Sequence, residues 1–221
     1  MPHGLITHFN NYRVAAGGGG TPPSILDAQI AIDDGGQSGD SLSITFNSAV
    51  TAGQYIILAV LSGPLSNFIQ DPSGFTKLYG DNAEWCLYVK KAVGNEGATF
   101  TVSSVNEAGV LWGLKIGGVA STPLDTNAIT ASSLVSPSIT TSFGYELLLS
   151  FIYARSNNSA PTAPAGWTRG AATGHVNSAG GGPISLTYAS LTQTAAGATG
   201  TATWAAVTNP FEVITLGIRS V

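Results

Sequence analysis

Charge is the scarcest property of this chain: only 9% of its 221 residues are Asp, Glu, Lys or Arg, against about 25% in an average globular sequence. Its 8 Lys and Arg are scattered, which excludes a nucleic-acid partner, because a phosphate backbone is gripped by clustered cations. A single cysteine, Cys86, excludes a disulfide framework, and its apolar neighbours predict a buried, inert thiol. Of the three histidines, His3 and His8 have a poor metal spacing, and His175 stands in a Gly/Asn/Ser stretch expected to be solvated. No serine occupies a Gly-x-Ser-x-Gly setting, and no Gly-Lys-Ser or Gly-Lys-Thr phosphate loop occurs. The longest apolar run, Tyr55 to Leu61, is far short of the roughly 20 residues a membrane helix needs. Long Leu/Glu/Lys periodicity is missing as well, so no helix is expected.

Carboxylates give no better case for catalysis. Glu84, Glu96 and Glu107 fall at predicted strand edges or turns, and neither Glu146 nor Glu212 has an acid partner at a corresponding site, so no glycosidase pair is expected. The chain is therefore read as a non-enzyme without cofactor or resident metal. The acidic stretch Asp33 to Asp40 approaches a calcium-binding nonapeptide with one glycine a place late; a plain turn is the expected reading, a weak calcium site the alternative.

What the chain does have is glycine, 28 of them, with abundant Thr, Ser, Ala and Val, the composition of short strands joined by turns. It also has a repeat. Pro72-Ser73-Gly74-Phe75-Thr76 returns as Pro164-Ala165-Gly166-Trp167-Thr168. Before each copy lies a glycine and an apolar strand, Gly53 before Tyr55–Leu61 and Gly144 before Tyr145–Tyr153. After each, Trp85–Val89 answers to Ser185–Ala189 and Leu114–Val119 to Leu216–Val221. A unit of roughly ninety to a hundred residues is the size of a whole small domain. The fold expected is all-β: two tandem jelly-roll or immunoglobulin-like β-sandwich modules, residues 24–120 and 121–221, after an extended arm of residues 1–23.

Period-two alternation places Leu26, Ala28, Ile30 and Ile32 on one strand face, and Leu42, Ile44 and Phe46 on another. The continuous run Tyr55–Leu61 suits a central strand covered on both sides. Trp112, Leu114 and Ile116 should point inward with Lys115 outward, and Ile214, Leu216 and Ile218 inward with Arg219 outward. Residues 120–127, with Pro123, read as a short link. The four tryptophans are expected in the core rather than on a sugar platform.

The arm ends in Gly17-Gly18-Gly19-Gly20 before Pro22-Pro23, a flexible joint with a stiff exit. Phe9, Tyr12 and Arg13 would anchor it in a neighbouring subunit; a loose terminus is the alternative. Residues 155–161 and 174–182 read as enlarged loops, with Asn157, Asn158, His175 and Asn177 as candidate ligand residues. Charge divides unevenly too: residues 1–125 hold ten acids and five bases, residues 126–221 two acids and three bases. So sparse a charge on the surface predicts contact with other protein.

The succession of apolar strand after glycine, Pro-x-Gly-Phe/Trp-Thr, Tyr-containing strand, Thr-rich strand and final Gly-x-Leu-x-Ile strand resembles modules of tailed-bacteriophage structural proteins, of decoration, neck or tail-fibre type. The resemblance spans both repeats and not the arm. It implies a virion protein, made in the host bacterial cytoplasm, that binds other capsid or tail proteins and itself, with a trimer as the expected oligomer. Its other implied form is a tail-fibre or receptor-binding module for a host glycan.

Overall fold

The computed structural model describes residues 20–33, 40–63, 69–105, 108–155, 161–170, 174–178 and 182–221. Every regular element among them is a strand. The first half supplies β1 (Ser24–Asp33), β2 (Asp40–Thr45), β3 (Tyr55–Ser62), β4 (Thr76–Gly80), β5 (Trp85–Lys91), β6 (Thr99–Val105) and β7 (Gly109–Gly117). The second supplies β8 (Val119–Ala131), β9 (Val135–Ser136), β10 (Thr140–Thr141), β11 (Glu146–Ala154), β12 (Thr168–Arg169), β13 (Gly174–Ser178), β14 (Gly182–Gln193), β15 (Gly197–Ala198), β16 (Ala202–Thr203) and β17 (Pro210–Ser220).

Pairing is confined to each half. A five-stranded sheet runs β1-β7-β3-β5-β4, with β2 and β6 forming a separate two-stranded layer. The second half repeats this as β8-β17-β11-β14-β12, with β13 added on β14. Its outer layer is the pairs β9–β16 and β10–β15. These two pairs lie in one register, Val135 opposite Thr203 and Thr140 opposite Ala198, so they are one ribbon. The interruption falls at Pro137, which has no N–H to give to a ladder. The chain is thus all-β, built of two β-sandwich modules.

The marker phrase makes the same turn in both. The Phe75 N–H donates to Pro72 O at 3.1 Å and the Trp167 N–H to Pro164 O at 3.0 Å. Gly74 and Gly166 have φ of 76° and 83°, the left-handed third position of a type II turn. Phe75 then packs on the cluster under β2–β6, and Trp167 on the corresponding cluster of the second module.

The largest core lies between the modules. Among the described residues, eleven buried apolar side chains from each half meet there, among them Ile57, Trp112, Leu114, Phe151, Tyr188 and Leu216. The cores beneath the outer layers are smaller: Ile44, Phe46, Ile56 and Val102 typify the first, Ile152, Trp204 and Val213 the second. β3 is buried along its whole length because both faces are covered, odd positions by the other module and even positions by β2–β6.

Several details depart from the sequence expectations. Lys115 does face away from Trp112, but it is only 3% exposed, since β2–β6 covers that face. Residues 120–127 are no mere link, because they belong to β8, an edge strand that tolerates Pro123. Residues 174–178 form the strand β13, paired with β14, rather than a loop. Tyr88 and Tyr188 are not counterparts: Tyr88 faces the outer layer and Tyr188 the inter-module core. A one-residue slip in a period-two pattern reverses the face. Finally, a bulge at Leu26 breaks the alternation of β1 and leaves Leu26 52% exposed while Ala28 and Ile30 pack inward; Ile32, near the end of the strand, is 47% exposed.

Candidate functional site

The chemically distinctive groups lie on the faces between each large sheet and its outer layer. In the first module Asp27 sits at the β1 bulge, opposite Lys115 of β7. Its Oδ2 is 3.8 Å from Lys115 Nζ and accepts the Asn47 N–H at 2.6 Å; Oδ1 accepts from Gln29 at 2.8 Å. Lys115 Nζ also donates to Ser48 O at 3.0 Å and Ser48 Oγ at 2.8 Å, and lies 5.3 Å from the centre of the Phe46 ring. Burial pushes the Asp27 carboxyl up, but the Gln29 and Asn47 hydrogen bonds and the Lys115 charge outweigh it and hold it below the usual range.

The second module has an acid where the first has an amine. Glu146, the first residue of β11, is fully buried and accepts the Phe143 N–H on Oε1 at 3.2 Å. Burial first, and then the neighbouring Asp125 carboxyl, push it up to about 7, against the weaker pull of the Phe143 N–H and Arg219. Oε2 has no hydrogen-bond partner among the described residues. Asp125, on the edge strand β8 of the same sheet, is half-buried and accepts the Ser142 N–H at 2.7 Å. Glu212 is raised by burial and by Asp81 of the other module. A carboxyl as enclosed as Glu146 can hold a proton but cannot present it to a substrate.

The inter-module seam is tied by polar contacts both within the core and at its rim. The Trp112 indole donates to Leu186 O at 3.0 Å and the Tyr153 hydroxyl to Cys86 O at 3.2 Å. Tyr79 bonds Asn127, and Arg155 pairs with Glu84. An open cleft of about 440 Å³ follows this seam, lined by Tyr55, Leu78, Lys90, Lys91 and Leu124 among others. Lys91 is tied to Ala120 O at 2.6 Å, and Lys90 pairs with Glu96 at 2.5 Å. Beside the Pro72 turn a smaller cleft of about 250 Å³ is lined by Phe75, Lys90, Glu96, Thr99 and Thr101. It opens onto the outer face of β2–β6, where Ser41–Ser103, Ser43–Thr101 and Thr45–Thr99 form an exposed ladder of hydroxyl pairs at 3.2, 2.7 and 3.0 Å.

The residues singled out by sequence are not brought to these places. Phe9, Tyr12, Arg13, Asn157 and Asn158 lie outside the described residues. His175 and Asn177 are described in their backbone alone, opposite Ser185 and Pro183. Most of the Asp33–Asp40 stretch is also outside, and among the described residues no three His, Cys, Asp or Glu side chains cluster as metal ligands. Cys86 is buried, and burial raises its thiol above the usual range. The residues that sequence reasoning missed, buried Asp27 and half-buried Asp125, did carry a signal: both follow a leucine, in Leu26-Asp27 and Leu124-Asp125, 98 residues apart.

Fold and buried groups together define a duplicated β-sandwich protein, with an Asp27–Lys115 pair sealed beneath the outer layer of the first module and a buried carboxyl, Glu146, in the second. Comparison with family models, with curated proteins and with solved structures gives no match.

Proposed function

We propose that this chain is a non-enzymatic structural protein of a tailed-bacteriophage virion, a decoration or cement protein that binds the capsid surface as a homo-oligomer. The observation that carries the reading is the rigid double module: the chain spends its largest apolar surface on joining its two halves. What remains outward is low in charge and bounded by two long edge strands, β1 of 10 residues and β8 of 13. Edge strands offer unpaired N–H and C=O groups to a neighbour, which suits a protein laid against other protein. The repeat's resemblance to phage modules supports the same role. Electron microscopy of purified particles carrying a labelled copy, with sedimentation of the free protein, tests it. Symmetric density on the head and a trimer in solution are expected; a monomer at high concentration that is absent from particles overturns the reading.

A second reading, a tail-fibre or receptor-binding module for a host glycan, is favoured by the hydroxyl ladder on β2–β6 and its adjoining cleft. The ladder itself is polar without ionic groups, which suits neutral sugars, and the Lys90 and Glu96 that line the cleft are paired with each other. Glycan-array binding that disappears in a Ser43→Ala/Thr101→Ala double variant would select it.

A further inference from the structure

The seam between the modules carries, on one side, chemistry that its packing does not require. Tyr55, the first residue of β3, lines the cleft of about 440 Å³ although it is only 4% exposed, so it forms the floor. Its ring belongs to the inter-module core, but its hydroxyl has no hydrogen-bond partner among the described residues. Directly opposite, on β5, stands Lys91. Its Nζ donates to Ala120 O at 2.6 Å, which holds it in place, and among the described residues no carboxylate pairs with it. The neighbouring ammonium, Lys90, is neutralised by Glu96 at 2.5 Å.

The repeat supplies the control. Tyr55 pairs with Ile116 and Leu147 with Ile218, so the second module has Leu147 opposite Thr192 where the first has Tyr55 opposite Lys91. Leu147 is buried in the same shared core. A strand that had only to pack there needs neither a phenol nor an ammonium.

We propose that this cleft binds the uronic-acid unit of an acidic saccharide, at a site separate from the hydroxyl ladder that rests on the glycan reading only for the source of the sugar.

An unpaired ammonium beside a buried hydroxyl donor selects one negative charge with an acceptor next to it, which a carboxylate provides. Burial raises the Tyr55 phenol above its usual range, so the hydroxyl keeps its proton and can donate it in a hydrogen bond. The walls are apolar, formed by Leu78, Val89, Pro123 and Leu124, while Thr76 and Thr122 stand exposed at the mouth. Such a lining fits a ring with a C–H face, a rim of hydroxyls and one carboxylate, which is the make-up of a uronic acid. A fatty acid would leave the threonines unused, and a phosphate would meet a single unpaired ammonium. The volume lies within the span of small-ligand sites. Lys90 lines both this cleft and the smaller one beside the Pro72 turn, so a saccharide held here by its acid leads toward the ladder, where neutral units fit.

Titration calorimetry of the intact chain with digalacturonic acid tests the site against the methyl ester of the same dimer, which keeps the rings and removes the charge. The acid should bind, the ester at least about tenfold more weakly, and the affinity for the acid should fall as salt rises. Lys91→Gln, which can still donate to Ala120 O, should lose the preference for acid over ester. Tyr55→Phe, which keeps the packing, should weaken the acid about threefold to tenfold. Should either variant fold poorly, amide shifts of the wild type decide: the acid must move residues 55, 78, 91 and 124. Equal binding of acid and ester, shifts confined to β2–β6, tighter binding of an acetylated dipeptide with a free carboxyl, or no binding of the acid would each overturn the site. Ser43→Ala/Thr101→Ala should bind the dimer as the wild type does, so the seam cleft and the ladder stand or fall separately.

Discussion

At the scale of single residues, Lys115 shows how much depends on completing a buried pair. Its amine is enclosed with Asp27 and Ser48 beneath β2–β6. Removing one partner strands the other charge in a dry site, which costs about 3–5 kcal/mol. Lys115→Met should therefore lower the urea midpoint severely. A Lys115→Met/Asp27→Leu double variant should recover part of the loss, because it leaves neither charge unpaired. Gly166 makes a cleaner case of backbone strain. No atom lies within 4 Å of a Cβ added there, yet its φ is 83°, so Gly166→Ala should lose about 1–2 kcal/mol through conformation alone. Thermal denaturation that leaves this variant unchanged would refute the type II turn. Trp112 bonds the Leu186 carbonyl across the seam; Trp112→Phe removes that bond and should cost about 1 kcal/mol.

At the scale of elements, β13 is the informative one. Gly174 lies where an added Cβ would stand 2.1 Å from Val110 Cγ1 and 2.9 Å from Leu186 O. β13 therefore closes one end of the shared core against the first module, and Gly174→Ala should destabilise the protein by about 1–3 kcal/mol through overpacking, measurable by denaturant titration. The strand was hidden in the sequence because Gly174-His175-Val176-Asn177-Ser178 has no alternation; its pairing comes from β14. β3 was legible, since seven consecutive apolar residues admit few environments other than a covered central strand. Leu42, Ile44 and Phe46 were legible by period two. Lys115 was misplaced for a physical reason. Alternation separates the two faces of a strand, but it cannot tell whether the polar face meets water or a second layer carrying its own counter-charge. Asp27 was hidden likewise, because its pairing with Lys115 requires the sheet order to be known.

At the scale of the whole molecule, the repeat identified two modules but not which surface joins them. The same strand order occurs twice, and the contacts cross in the sense of an approximate two-fold exchange. β4 meets β8, the counterpart of β1, through Tyr79 and Asn127, while β1 meets β13 beside β12 through Ile30 and Gly174. Such an interface is isologous, as in a symmetric dimer, but here both partners lie on one chain. Since more buried apolar residues lie between the modules than beneath either outer layer, neither half should retain its fold once the other has melted. Differential scanning calorimetry of the intact chain measures this coupling directly. One transition is expected, with calorimetric and van't Hoff enthalpies equal; two separate transitions, one for residues 24–117 and one for residues 119–220, would contradict a core shared between the modules.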